Sequence, residues 1–249
     1  MGASITAVGE DARGATAPDP TAMLATLLGL AEPDSLVSRL TLQLARDIIE
    51  GRVEPGETVN SLELSKRFDT SRTPVREALF ALEREGLLEI QARRRPRVVA
   101  RSARQVAEIY GLRAELHALL AQAVAARIDP AGLDQIRGDL AALRAAVESA
   151  DVDAYFWRNV AFHNRVAVLA DNSTTKRMLD SLGLQVLRLR HLTMSLPGRM
   201  QVGLHDHERL VLAFEQGDVG LAGALSRSLV LNALRTLQAL PAKDFASGY

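Results

Sequence analysis

The chain has no cysteine among its 249 residues. Disulfide staples and thiolate metal sites are therefore excluded, and a reducing compartment fits. No apolar run approaches the roughly 20 residues that a membrane span needs. The N-terminus lacks the basic start and apolar stretch of a secretory signal. These absences predict a soluble, cytoplasmic protein with no membrane partner. There is also no net charge, since 30 basic residues balance 30 acidic ones. That balance alone argues against a nucleic-acid partner.

The distribution of charge argues the other way. Residues 66–101 hold ten basic and five acidic residues, a surplus of five positive charges on 36 residues. A local basic patch attracts phosphate whatever the total charge. With 47% hydrophobic residues the chain buries a sizeable core, in one to two domains.

Four segments follow from composition and periodicity. Residues 1–33, rich in Ala, Thr, Gly, Pro and Asp, are expected to be a flexible N-terminal extension; "TAMLATLLGL" within them is a candidate short helix. Residues 34–101 begin with apolar residues at helical spacing, Leu36, Leu40, Leu44 and Ile48, stopped by Gly51. A short helix over 61–68 follows, with Asn60 as its cap. A third helix runs from Arg72 to about Glu85 and stops at Gly86. Two short strands, "LLEI" and "RVVA", flank "QARRRP". Three helices closed by a two-stranded ribbon make a winged helix-turn-helix. Residues 102–240 turn to leucine–alanine periodicity, opened by a capping box at Ser102 and Gln105. Six helices are expected there, over about 103–128, 131–149, 152–170, 174–195, 199–216 and 218–239, forming an all-α bundle. Residues 241–249 are a C-terminal tail. The fold class is mainly α.

The stretch "SRTPVREAL" at 71–79 is where the basic surplus meets the fold. Ser71 suits an N-cap, and Pro74 falls in the first turn, where a missing N–H costs nothing. Arg72 and Arg76 then lie one turn apart on one face, beside the hydroxyl of Thr73. A helix start of this kind suits phosphates and guanine edges in a major groove. Arg93, Arg94, Arg95 and Arg97 fall on the wing. Such a cluster is usually a solvated face; next to a recognition helix, it suits phosphate or minor-groove contact.

From Leu40 to Val98 the pattern "IIEGRVEPGETVNSLELSKRF…SRTPVREALFALEREGLL" resembles the DNA-binding domain of the GntR family of bacterial transcriptional regulators. The helical remainder resembles the effector domain of its FadR subfamily, the FCD domain. The resemblance covers about residues 36–240. It implies a homodimer, a palindromic double-stranded DNA operator, and operator affinity set by a small-molecule effector in the bundle, with a carboxylate expected. It assigns base and phosphate contacts to Arg72, Thr73 and Arg76. The family's wing glycine is replaced here by Arg95, followed by Pro96.

The resemblance also implies a divalent-metal site, Zn²⁺ or Ni²⁺, built from an Asp or Asn, a His four residues later, and two further histidines. Here "NVAFHNRV" supplies Asn159 and His163, and "HDHERLVLAF" supplies His207. The last position falls on Leu229. An amide and two imidazoles make a poor zinc site by the usual ligand count. His191 is a candidate replacement, and His205 is expected at the surface or the rim. A metal-free pocket stays open beside the metal-bound one. The resemblance places Arg113 against the cavity, suited to a carboxylate, and His117 one turn on. An ion pair of Arg113 with Glu115 or a neighbouring helix is the alternative. No catalytic residues are expected. The rival functions are a metal-dependent hydrolase in the helical half, which lacks any H-E-x-x-H run, and a non-specific DNA-binding protein.

Overall fold

The computed structural model describes residues 19–240. The first 18 residues of the extension and the tail at 241–249 lie outside the described residues. The chain runs α1 (Pro20–Leu27), α2 (Leu36–Ile49), α3 (Ser61–Arg67), α4 (Arg72–Arg84), β1 (Leu88–Glu89) and β2 (Arg97–Val98). It continues as α5 (Ala103–Arg127), α6 (Pro130–Glu148), α7 (Val152–Leu169), α8 (Ser173–Leu184), α9 (Leu187–Met194), α10 (Arg199–Glu215) and α11 (Val219–Gln238).

Local chemistry accounts for most of these boundaries. Asn60 Oδ1 accepts from Leu62 N–H at 3.0 Å and starts α3. Ser102 and Gln105 exchange side-chain and backbone hydrogen bonds in the expected capping box at the head of α5. Asp129 and Asp151 cap α6 and α7, their side chains accepting from the backbone N–H groups of Gly132 and Ala154. Gly51 and Gly86 turn the chain at φ +80° and +73° after α2 and α4, a conformation that L side chains rarely adopt. The ribbon is shorter than expected. Leu88 pairs with Val98 and Glu89 with Arg97, antiparallel, and Thr58 bridges Arg97 from the other side.

The candidate helix within the extension forms: α1 folds on an Asp19 cap and packs on α2, with Leu24 fully buried and Ala25 and Leu28 nearly so. One expectation is overturned. The helix expected over 174–195 is two, α8 and α9. Val186 leaves helical geometry at φ −126°, its N–H bonding back to the Gly183 carbonyl at 3.0 Å. The buried position of its side chain is reached by this kink.

The winged domain and the bundle share one apolar cluster. It contains Leu40, Leu44 and Ile48 of α2, Val75, Leu79 and Leu82 of α4, and also Phe156, Trp157 and Leu187 from the bundle. Two polar ties reinforce the seam. Arg101, in the linker, donates to the carbonyls of Gly86 (3.4 Å) and Gln185 (3.3 Å). Trp157 Nε1 donates to Glu50 Oε1 at 3.2 Å, and Arg46 and Arg52 hold the same carboxylate at 2.7 and 2.5 Å. Burial pushes the Glu50 carboxyl up, but hydrogen bonds from Arg46, Trp157 and Arg52 outweigh it and hold it below its ordinary value.

A carboxylate with a depressed pKa stabilises the fold above its unfolded value, and that contribution is lost as pH falls through the folded value. Acidification below the ordinary 4.5 is therefore expected to loosen the seam. Trp157 is the chain's one tryptophan, so its fluorescence reports this directly. Glu50→Gln is expected to flatten that acid dependence and to cost about 1–2 kcal/mol at neutral pH, with the half-exposed arginines discounted for solvent.

Candidate functional site

Two constellations stand apart in the fold, one at the tip of the winged domain and one inside the bundle. At the tip, α4 begins at Arg72 with Ser71 in the N-cap position. Its backbone is extended as expected, but its hydroxyl makes no capping bond. The expected side-chain cap is thus absent, and the first N–H groups of α4 are left to other partners. Val75, Ala78, Leu79 and Leu82 are buried and orient the helix. Their opposites, Ser71, Arg72, Thr73 and Arg76, are exposed. No ion pair engages Arg72 or Arg76 among the described residues.

The wing carries its arginines in the same condition. Arg93, Arg94, Arg95 and Arg97 are exposed, and Arg94, Arg95 and Arg97 line a groove with Thr58, Glu89 and Gln91. The left-handed backbone conformation that favours glycine falls at Arg93, at φ 63°, two residues before Arg95. The wing turns sharply without a glycine, and Arg93 stands at the bend.

Inside the bundle, α5, α7, α9, α10 and α11 line a chamber of about 60 Å³ with both polar and apolar walls. All five residues expected there line it: Arg113, His117, Asn159, His163 and His207. Leu229, at the position of the missing fourth ligand, lines it too. The histidines cluster, with ring centroids 4.9 Å apart for His117 and His163, and 5.2 Å for His163 and His207. His117 comes from α5, which packs along α11, and so brings a third imidazole to the group. His191 is not in the chamber. It bonds Asp153 at 2.7 Å and packs edge-on to Phe156. His205 faces solvent, 3.9 Å from Glu208.

One hydrogen-bonded relay fixes the orientation of the chamber wall. Arg190 Nη2 donates to Asn159 Oδ1 at 2.9 Å. Asn159 Nδ2 donates to His207 Nε2 at 3.2 Å, and His207 Nδ1 donates to the Gly203 carbonyl at 2.6 Å. The bond to Gly203 sets the His207 tautomer, and the tautomer sets the amide. Burial, then the neighbouring arginines, keeps His117 well below its ordinary pKa. Burial and the other two histidines do the same to His163. Burial lowers His207 as well, against the pull of the Gly203 carbonyl. The three imidazoles are neutral.

Sequence reasoning missed Arg190 and Arg199, which both line the chamber. The signal for Arg190 was present. It stands three residues after Leu187 and four before Met194, a basic residue on the apolar stripe of α9. Burial and then the nearby Arg113 push the Arg190 guanidinium down to about 9. Arg113, 4% exposed, donates from Nη2 to His117 Nε2 at 3.3 Å and has no carboxylate partner among the described residues. Glu115, the alternative partner, pairs instead with Arg227 on the outer face, at 2.5 Å.

Residues 36–98 match the profile of the bacterial regulatory proteins, gntR family, and residues 108–232 match the FCD domain. The chain belongs to the GntR family. Among its relatives, the uncharacterized HTH-type transcriptional regulator YdhC of Bacillus subtilis is 30% identical over 169 residues, 68% of this chain and 75% of that one. The HTH-type transcriptional repressor RspR of Escherichia coli is 28% identical over 175 residues, 70% and 77% of the two chains. In structure the chain is similar to E. coli McbR/YncC, with a TM-score of 0.70 and 21% identity over 82% of this chain and 98% of that one, a likeness of fold. This GntR-family chain is therefore a DNA-binding transcriptional regulator with an FCD effector-binding domain. The relatives' names are those of transcription regulators, which are generally not enzymes, and they lend no support to the hydrolase or to non-specific DNA binding. No helix among the described residues is long and apolar enough to cross a membrane.

FCD domains of GntR regulators can bind metals, but among the described residues no group of His, Cys, Asp and Glu forms a metal-holding set. The relay explains why. Asn159 Oδ1 and His207 Nε2, the atoms that a metal would need, are already engaged, the first by Arg190 and the second by the Asn159 amide nitrogen.

Gly203 is the tightest point of the chamber wall. A Cβ there would lie 2.5 Å from Tyr155 Oη, and Tyr155 is 1% exposed. An ordinary helical Gly→Ala change gains up to about 1 kcal/mol. Gly203→Ala is expected to lose about 1–3 kcal/mol instead, read as a lowered thermal midpoint.

Proposed function

We propose that Arg72, Thr73 and Arg76 read base edges in the major groove of an operator. Arg94, Arg95 and Arg97, with Ser71, hold the flanking phosphates and the minor groove. The observation that carries this reading is the exposure of Arg72 and Arg76 at an uncapped helix start, free of acidic partners and beside a wing of four exposed arginines. An arginine fork matches the O6 and N7 acceptors of guanine. A helix start with unspent N–H groups favours phosphate. A homodimer on a palindromic operator suits such a module, because two-fold protein symmetry maps onto half-sites of fixed helical phase. The site of action is then the bacterial cytoplasm, where operator DNA lies.

The effector site is the bundle chamber, lined by Arg113, His117, Asn159, His163 and His207. Its coupling to DNA is supported by the seam. α9 carries Arg190 in the chamber wall and Leu187 in the cluster shared with α2. The kink before α9 is where Arg101 grips Gln185. A ligand that moves α9 therefore moves the winged domain. It shifts operator affinity only as far as it binds the two arrangements differently, and a small displacement costs contacts in both half-sites of a dimer.

Arg76→Ala and Arg72→Ala are each expected to cost about 1–3 kcal/mol on the preferred operator and to relax selectivity at the contacted base pair. Arg94→Ala is expected to weaken all sequences alike and to lower the salt dependence of binding by about one phosphate contact. Operator selection from a random duplex library, followed by titration at several salt concentrations, measures both. An Arg76→Ala protein that selects the same sequence with unchanged preference would remove this residue from base reading.

A further inference from the structure

The chamber is rich in donors and poor in acceptors, and that imbalance specifies its guest. Tyr110 Oη, Tyr155 Oη, Arg113 Nε and Arg199 Nε are buried against it, and none has a hydrogen-bond partner among the described residues. Each orphaned buried donor is costly until an acceptor reaches it. Two guanidiniums, Arg113 and Arg190, line the chamber with no carboxylate paired to either among the described residues; burial depresses Arg113, and burial together with Arg113 depresses Arg190.

The acids nearby do not repair this. Asp206 acts on Tyr155 and His207 and accepts from Asn232 at 3.4 Å. Asp180 lines a second recess that also includes Arg113 and Arg190, and is held by Lys176 at 2.6 Å. The three histidines are neutral and add no charge of either sign.

A divalent cation would add like charge beside two guanidiniums, Arg113 buried and Arg190 partly buried. It would also have to take Asn159 Oδ1 from Arg190 and His207 Nε2 from Asn159. The residues present do not fit a metal. They fit negative charge carried on several oxygens, and a volume of about 60 Å³ suits a compact guest.

We infer that the chamber binds a compact dianion directly on Arg113 and Arg190, the Arg190 guanidinium standing where family resemblance implies a metal ion. The inference rests on the reading of the chamber as the effector site and names the class of effector. Dicarboxylates and phosphate monoesters share the required chemistry. Tyr110, Tyr155 and Arg199 supply further donors to the outer oxygens, and neutral His117 and His163 supply polar, uncharged walls.

The test is calorimetric titration of the full chain, dialysed against EDTA, with succinate, with inorganic phosphate at a pH where it is dianionic, and with acetate. At least one dianion is expected to bind about ten-fold or more tightly than acetate, with an affinity unchanged by added Zn²⁺ or by EDTA. Succinate alone would mark a dicarboxylate site, and phosphate alone a phosphate-monoester site. Arg190→Gln is expected to weaken binding by about ten-fold or more. Arg190→Lys, which keeps the charge, is expected to recover part of it, with thermal melting checking that both variants fold. Dianions no tighter than acetate, or binding that appears only with Zn²⁺, would overturn the inference. Operator binding measured in parallel separates the two readings: a chain that selects its operator but fails the dianion arm loses only the ligand class.

Discussion

α2 is buried on more sides than a surface helix, and the rest of the architecture hangs on that fact. Leu40, Leu42, Leu44, Ala45, Ile48 and Ile49 are all buried, because α2 meets α4, α1 and α9 at once. A helix apolar on so wide an arc has no stable position at the edge of a module. It therefore welds the DNA-facing end to the bundle. The polar ties at Glu50 and Arg101 orient this weld, while the apolar cluster supplies its strength.

The chamber is the opposite kind of environment. Its order comes from a directed chain of donors running from Arg190 through Asn159 to His207 and the Gly203 backbone. Such relays are worth more than their separate bonds when every member is satisfied. This one is satisfied, while the donors beside it are not. The contrast divides the chamber into a fixed wall and a receptive one. Burial and cationic neighbours together lower the pKa of all three histidines, so the fixed charge lining the chamber is that of its arginines.

Much of this was legible in the residues. Caps, glycine stops and period-3.6 stripes located α2 to α5 because those signals are local and act on backbone groups within one turn. The spacing of Asn159 and His163, and their meeting with His207, was legible for the same reason together with family resemblance. Arg190 could be placed on an apolar stripe, but its bond to Asn159 was not legible, because the two lie 31 residues apart in sequence and only the fold brings them together. Ser71 shows the converse: a residue ideal for a cap sits in the capping position and leaves its bond unmade. The break between α8 and α9 escaped notice because no proline marks it; the kink follows from the burial of Val186 and the reach of Arg101 from the linker.

The helix α1 carries a last consequence. It rests on α2, and Leu27 at its end also walls the second recess, which shares Arg113, His117, His163 and Arg190 with the chamber. Leu27, outside both matched family segments, thus belongs at once to a helix packed on α2 and to the wall of that recess. A fragment starting at residue 36 would lack this part of the wall.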